Sequence, residues 1–244
     1  EPMLEPRPRL YHALSSYYSM IARLALVEGG IAYESMVIDI HFRMVQQQPD
    51  YVRLNPNMTV PTLVLPDRIL DQSRDIAEYA LGVSEAAIDG DTKSWLDLHY
   101  GYPIEELTFG GLLARNPMAR IMIPKRLESV RRRLLERAAR NPDLAKVYEE
   151  RAAVFAGRIH AFDPEAVARL SETRRAEAVG FLDRLEQTLR DGRAVLVPPA
   201  YGAADVVWTV FLARMEFVGM GAELQKRPAL ARYWRAMQAR PSFA

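Results

Sequence analysis

Hydrophobic periodicity splits this chain into two textures, and that split limits the folds open to it. Over residues 9–82 short β-like runs alternate with helical ones, whereas 91–244 reads almost wholly as helix. RLYHA (9–13) predicts a strand. Ser19 to Glu28 sets Met20, Leu24 and Val27 at helical spacing before Gly29-Gly30 stops the helix. YESMVIDI (33–40) alternates as a strand does, and His41 to Leu54 is polar and weakly periodic, fitting a short helix or an irregular turn. PTLVLP (61–66) and RILD (68–71) predict two short strands about a Pro66-Asp67 turn. SRDIAEYAL (73–81) predicts a helix with Ser73 as its N-cap and Ile76, Ala77 and Ala80 on one face. The order β-α-β-α-β-β-α predicts a small α/β domain with a mixed sheet.

In the second texture, Asn141-Pro142 and Asp163-Pro164 each look like an N-cap followed by proline at the first helical position. Leu127, Val130, Leu134 and Ala138 form one stripe on a charged rod. A second stripe runs through Val167, Leu170, Ala178, Phe181, Leu185 and Leu189 to a stop at Gly192. DVVWTVFLARMEFV (205–218) is apolar nearly all round, which suits a helix in the middle of a bundle. A last amphipathic helix spans about 228–239. The stretch 83–94, flanked by Gly82 and containing Gly90, is the expected linker, so the domains fall at 1–82 and 95–244.

Composition excludes several functions. Lys and Arg number 32 against 31 Asp and Glu, a balance that argues against wholesale nucleic-acid or membrane binding. No apolar run approaches a bilayer span. The opening EPMLEPRPRL lacks the signal-peptide pattern, and a cytoplasmic location is expected. Cysteine is absent, which removes disulfides, thiolate metal ligands and a protein-borne thiol nucleophile. The four histidines (12, 41, 99 and 160) show no metal-type spacing, so no metal site is expected. Residues 120–140 carry eight Lys and Arg against Glu128 and Glu136: a solvated helix face, or a field that draws anionic substrates.

The informative pattern is Val60-Pro61-Thr62 followed by Gln72-Ser73 at a helix start. A proline opening a strand can sit in a cis bond, leaving the Val60 backbone to pair strand-like with a short peptide. Ser73 at a helix N-terminus offers a hydroxyl, backbone N–H groups and the positive dipole end to a carboxylate. In this order, after a βαβ unit, NPNMTVPTLV and LDQSRDIAEYAL resemble the glutathione-binding half of the glutathione S-transferase superfamily. SYYSMIARLAL, PDYVRLN, ADVVWTVFLARMEF and the closing ARPSF are most similar to its zeta-like group, which includes the tetrachlorohydroquinone reductive dehalogenases. The resemblance implies an α/β thioredoxin-like N-terminal domain, an all-α C-terminal domain, glutathione as cosubstrate and a homodimer.

Carried over position by position, the resemblance places Ser16 on the serine that stabilises the glutathione thiolate. Ser15 is the alternative if the alignment slips by one. Tyr18 falls where the zeta-like group has cysteine; it or Tyr17 implies either a phenolic donor to the thiolate or an aromatic pocket wall. Gln72 and Ser73 would hold the γ-glutamyl end, and Val60 the cysteinyl backbone, with Pro61 keeping that edge open. His41, Arg43 and Gln47 are candidates for the glycine carboxylate. Arg23 matches a recurrent first-helix arginine of structural character. Asp205 matches a buried aspartate of a helical capping box whose partner here is Gly202, and reads as a folding residue worth about 1–2 kcal/mol. Residues 83–175 would help build a lid over the second substrate. Tyr17, Tyr18, His99, Tyr100, Tyr102, Phe109 and Met118 are expected at a pocket for a flat, hydrophobic electrophile.

Without cysteine, the dehalogenase's mixed-disulfide step is closed to this chain. The expectation is a glutathione transferase whose bound thiolate attacks an aromatic electrophile. Glutathione-dependent aryl-ether cleavage or isomerisation is the alternative enzyme, and a non-catalytic glutathione-fold binding protein the alternative outside catalysis.

Overall fold

The computed structural model describes residues 7–83 and 89–243. Its sheet holds four strands, β1 (Arg9–His12), β2 (Glu34–Val37), β3 (Thr62–Val64) and β4 (Ile69–Leu70), in the order β2-β1-β3-β4. β1 runs parallel to β2, with Leu10 opposite Ser35. It runs antiparallel to β3, with Leu10 opposite Leu63, and β3 pairs antiparallel with β4. This is the mixed sheet of a thioredoxin-like unit. Helices α1 (Tyr17–Glu28) and α3 (Ser73–Ala80) pack on each other. Their close approach requires Gly29, where a Cβ would sit 1.9 Å from the Ala80 carbonyl oxygen. Gly30, at φ +66°, then turns the chain toward β2.

The other helices are α2 (Pro49–Leu54), α4 (Gly90–Tyr100), α5 (Ile104–Arg115), α6 (Pro117–Arg140), α7 (Ala145–His160), α8 (Pro164–Leu189), α9 (Ala203–Phe217), α10 (Gly221–Gln225) and α11 (Pro228–Gln238). None of them is long and apolar enough to cross a membrane. Contacts group the chain into two compact units. One comprises Glu1–Arg43, Thr59–Tyr102 and Val179–Ala244; the other comprises Met44–Met58 and Pro103–Ala178. Of the linker expected at 83–94, residues 84–88 lie outside the described residues, and α4 already begins at Gly90.

In the second unit, Val130, Leu134 and Ala138 of α6 close a core with Tyr148, Ala152 and Phe155 of α7 and with Met44, Val52 and Met58. Segment 44–58 is bound into that core by polar contacts as well. Tyr148 donates to the Gln47 carbonyl at 2.9 Å, Arg137 donates to Gln47 Oε1 at 3.2 Å, and Arg53 meets Asp143 at 2.9 Å. Gln47, considered for the glycine carboxylate, is therefore buried and engaged by α6 and α7. Of the two expected caps, Asp163 accepts from the N–H groups of Glu165 and Ala166. Asn141 does not cap a helix; a 3-10 turn follows it, and its side chain donates back to the Arg137 carbonyl. Asn116 instead caps α6, accepting from Met118 and Ala119.

In the first unit, α9 is buried nearly all round, as its composition predicts. Its Trp208 and Phe211 join Trp95, His99, Tyr102 and Phe181 in a cluster of mostly edge-to-face rings, worth more than their burial alone. Asp205, fully buried, accepts from Leu196 N–H (2.8 Å), Gly202 N–H (3.1 Å) and the Tyr233 hydroxyl (2.7 Å). Gly202 has no side chain to return the capping bond, so the carboxylate carries the box alone. Burial raises its pKa despite three donors.

Because two buried donors and one part-buried donor depend on Asp205, its loss exceeds a missing cap. Asp205→Ala is expected to lower unfolding free energy by about 3 kcal/mol or more. An unchanged urea midpoint would contradict this. His99 supplies a second prediction. Burial holds its pKa at about 3, while the unfolded side chain titrates near 6.5, about its unperturbed value. A depressed histidine pKa favours folding above the unfolded value, and that contribution drains away as pH falls toward the folded one. Stability should therefore decline from pH 6.5 downward, by up to about 1.4 kcal/mol per pH unit from this group. The decline should be shallower in His99→Gln. Parallel profiles for the two proteins would refute it.

Candidate active site

β1 ends at His12, and residues 13–16 lead into α1. Ser16 is the N-cap: its φ of −78° and ψ of 124° are extended, and its Oγ accepts from Ser19 N–H at 3.3 Å. The hydroxyl accepts in that bond, so its own hydrogen remains available to donate. The first-turn N–H groups and the positive end of the helix dipole add to the potential there. Ser19 fixes the loop from the other side, accepting from Ala13 N–H at 3.3 Å.

Ser15 is exposed, and its Oγ lies 2.9 Å from His41 Nε2. The His41 backbone is held by Asp39, whose carboxylate accepts from the N–H groups of His41, Phe42 and Arg43. Those bonds keep the Asp39 carboxyl below the usual range. The structure thus joins two residues that the sequence offered for different roles, with no local signal for the pairing across 26 positions.

Tyr17 and Tyr18 part company. Tyr17 is buried, with its hydroxyl 2.7 Å from His99 Nε2 and its ring stacked on the imidazole; the Arg214 guanidinium lies 5.3 Å from the ring centroid. Tyr18 is half-buried and stacks on Tyr100 at 6.5 Å. His99 lies within the aromatic cluster and engages Tyr17 there, and Tyr102 packs between Phe181 and Phe211 at 5% exposure. Both were expected to line a pocket. Tyr102 packs in the core because its ring completes the edge-to-face cluster of α8 and α9. Phe109 and Met118 are exposed on α5 and α6 of the other unit.

The Val60–Pro61 peptide is cis, as the pattern allows, and precedes β3. Continued two steps past its ladder, the antiparallel register of β3 on β1 sets Val60 opposite Ala13, at the root of the Ser16 loop. At α3 the expected cap shifts by one. Gln72 is the N-cap, exposed and without a side-chain capping bond, while Ser73 is the first helical residue and buried. Ser73 Oγ lies 3.0 Å from the Tyr100 hydroxyl. Burial raises the Tyr100 pKa, so the phenol stays protonated. Consecutive residues of α4 therefore hold both helix starts: His99 takes Tyr17 at α1, and Tyr100 takes Ser73 at α3 and stacks on Tyr18. Sequence reasoning placed both on a pocket wall; neither spacing nor periodicity shows contacts spanning 82 and 27 residues.

Comparison with known proteins agrees with this architecture. Residues 15–81 match the family model "Glutathione S-transferase, N-terminal domain". A tetrachloro-p-hydroquinone reductive dehalogenase of Sphingobium chlorophenolicum is 31% identical over 98% of this chain and 94% of its own. Glutathione S-transferase TCHQD of Arabidopsis thaliana is 28% identical over 96% and 87%. Among solved structures, β-etherase LigF from Sphingobium sp. strain SYK-6 shares the fold with a TM-score of 0.69 at 19% identity, covering 97% of this chain and 96% of that one. Identity above 30% across nearly the whole of both chains, on a thioredoxin-like sheet with a cis proline before β3, shows that this chain belongs to the glutathione S-transferase superfamily, in the group of the tetrachlorohydroquinone dehalogenases.

Proposed function

We propose that this protein is a glutathione-dependent transferase in which Ser16 holds the glutathione thiolate and the sulfur attacks a hydrophobic, aromatic electrophile. The observation that carries the reading is the state of Ser16: an N-cap hydroxyl that accepts from Ser19 and has a hydrogen left to donate, at the positive end of α1. A hydroxyl donor and helix-end N–H groups stabilise thiolate over thiol and lower its pKa. Tyr17 is a poor rival because its hydroxyl already meets His99.

In this reading glutathione lies along the open edge before β3, its cysteinyl backbone paired with Val60. Its γ-glutamyl carboxylate faces Gln72 and Ser73 at the start of α3, where the dipole and N–H groups favour an anion. His41, with Ser15, faces the glycine end. Tyr18, ring to ring with Tyr100, offers a flat surface to an aromatic electrophile. In displacement, the C–S bond forms as the bond to the leaving group breaks, and the leaving group departs with the electron pair. In addition, that pair passes into the conjugated acceptor, which then takes a proton. Neither course needs a protein thiol, and the chain has none. The same absence forbids a step that parks oxidation in a protein–glutathione disulfide. A homodimer is part of this proposal, as is action on a soluble small molecule.

Three substitutions test the assignment with an aryl halide as electrophile. Ser16→Ala should lower kcat by about 100-fold, the cost of a lost anion-stabilising donor, with KM for glutathione little changed. Ser73→Ala should weaken glutathione binding by about tenfold or more, as loss of a bond to a charged group does. Tyr18→Phe should leave kcat within about threefold, since the ring and not the hydroxyl acts. Greater harm from Tyr18→Phe than from Ser16→Ala would overturn the role given to Ser16.

A further inference from the structure

The basic run on α6 has no part in the proposed chemistry, and its arginines divide between the flanks of the helix. α6 and α7 are consecutive helices joined by a short 3-10 turn and so lie antiparallel. Leu134 and Ala138 of α6 meet Tyr148 and Ala152 of α7 in their shared core. Arg133 and Arg137 each come one residue before a core position of α6, and Arg151 comes one before Ala152. Arg158 follows about two turns beyond Arg151, on the same stripe. At about 100° per residue, positions just before the seam of two antiparallel helices fall on one side of the pair. The contacts agree. Arg151 and Arg158 share one ring, their guanidinium carbons 5.8 and 5.6 Å from the Phe155 centroid. Burial and the charge of Arg158 both lower the Arg151 pKa, and burial and the charge of Arg133 lower that of Arg137.

Among the described residues, none of these four arginines meets a carboxylate. Arg133 donates to the Ser129 carbonyl and Arg137 to Gln47 Oε1, while Arg151 Nε is buried with no hydrogen-bond partner. The acids of the two helices are turned elsewhere. Glu128 is held by Arg131, Glu136 lies 3.9 Å from Arg132, and Glu150 lies 3.9 Å from Lys146. Glu149 follows Tyr148 and so falls on the opposite flank. Asp50 and Asp143, at the Gln47 end, are engaged by Arg53. Arg133, Arg137 and Arg151 are half-buried, and each forfeits hydration that no acid restores.

We propose that this arginine stripe on α6 and α7 binds a soluble polyphosphate anion of the triphosphate class. A row of like charges gains most from a ligand that carries several negative charges in a short length. Guanidinium forks match phosphate oxygens two at a time. Arg151 and Arg158 stand about 10 Å apart along the axis of α7, a span for a short chain of phosphates and too long for one. Phe155 is buried beneath its two arginines, so it offers no open ring on which a base could stack. That sets a single nucleic-acid strand aside.

The probe is sodium tripolyphosphate, titrated by calorimetry into the full chain at about 0.15 M salt, where diffuse attraction is screened. It should bind, with orthophosphate at least about tenfold weaker, the worth of one further charge-assisted contact. Arg151→Gln and Arg158→Gln should each weaken tripolyphosphate by about tenfold. Arg158 is exposed, so its variant decides the matter should Arg151→Gln fail to fold by circular dichroism. Arg131→Gln and Arg132→Gln remove the same charge from other faces of α6 and should leave the affinity within about twofold. Equal weakening by all four variants would reveal a diffuse field only and would overturn the proposal. So would tripolyphosphate that does not bind, or orthophosphate that binds as tightly. Vesicles containing phosphatidic acid test the other source of phosphate. Retention on them that tripolyphosphate does not release would assign the stripe to a lipid surface and overturn a soluble ligand.

Discussion

The last turn of α4 governs the arrangement of the candidate site. His99 and Tyr100 are adjacent in the chain, yet they point to two different helix starts, one through Tyr17 at α1 and one through Ser73 at α3. In the proposed function the two helix starts would serve the thiolate and the γ-glutamyl carboxylate of one glutathione molecule, so their separation has to be fixed. Packing supplies that fixity. His99 is enclosed by Tyr17, Tyr100 and Trp208, and its burial keeps the imidazole neutral, so the tie is built from hydrogen bonds and ring contacts and carries no charge. Trp208 belongs to α9, which is buried nearly all round and whose start depends on Asp205. A chain of contacts thus runs from the Asp205 carboxylate through α9 and α4 to both helix starts.

The absence of cysteine gives the proposed chemistry its direction. With Tyr18 at the position where the resemblance expects a thiol, glutathione would supply the only sulfur nucleophile. What remains for the protein is electrostatic: a hydroxyl with one hydrogen to give and N–H groups at a helix end. Such a site suits addition and displacement, which begin and end with the same oxidation state at sulfur.

Much of the fold was legible in the sequence because each piece had its own local period or stop. The β1, β3 and β4 runs, the Gly29-Gly30 stop, the all-round apolar α9 and the cis Val60–Pro61 bond all rest on neighbours a few residues apart. Legibility failed where the partner is distant or the signal is repeated. Asn-Pro occurs at 116 as well as at 141, and the cap that forms is Asn116. Ser73 reads as a cap from its residue type, but Tyr100 draws its hydroxyl and the cap passes to Gln72. Gln47 reads as a candidate for the glycine carboxylate, but Arg137 and Tyr148 bind it from 90 and 101 positions away. Tyr102 and His99 read as pocket aromatics, since nothing in a sequence distinguishes a ring that faces a ligand from one that completes a core cluster.

The central claim is that the start of α1 holds glutathione as its thiolate. Its most direct test is the pH titration of thiolate absorbance at about 240 nm for glutathione bound to the purified protein, read against the free thiol pKa of about 8.5. A bound-thiol pKa of about 7 or lower is the result this account predicts. Saturated binding with the pKa unshifted would contradict it, leaving a protein that holds glutathione without activating it.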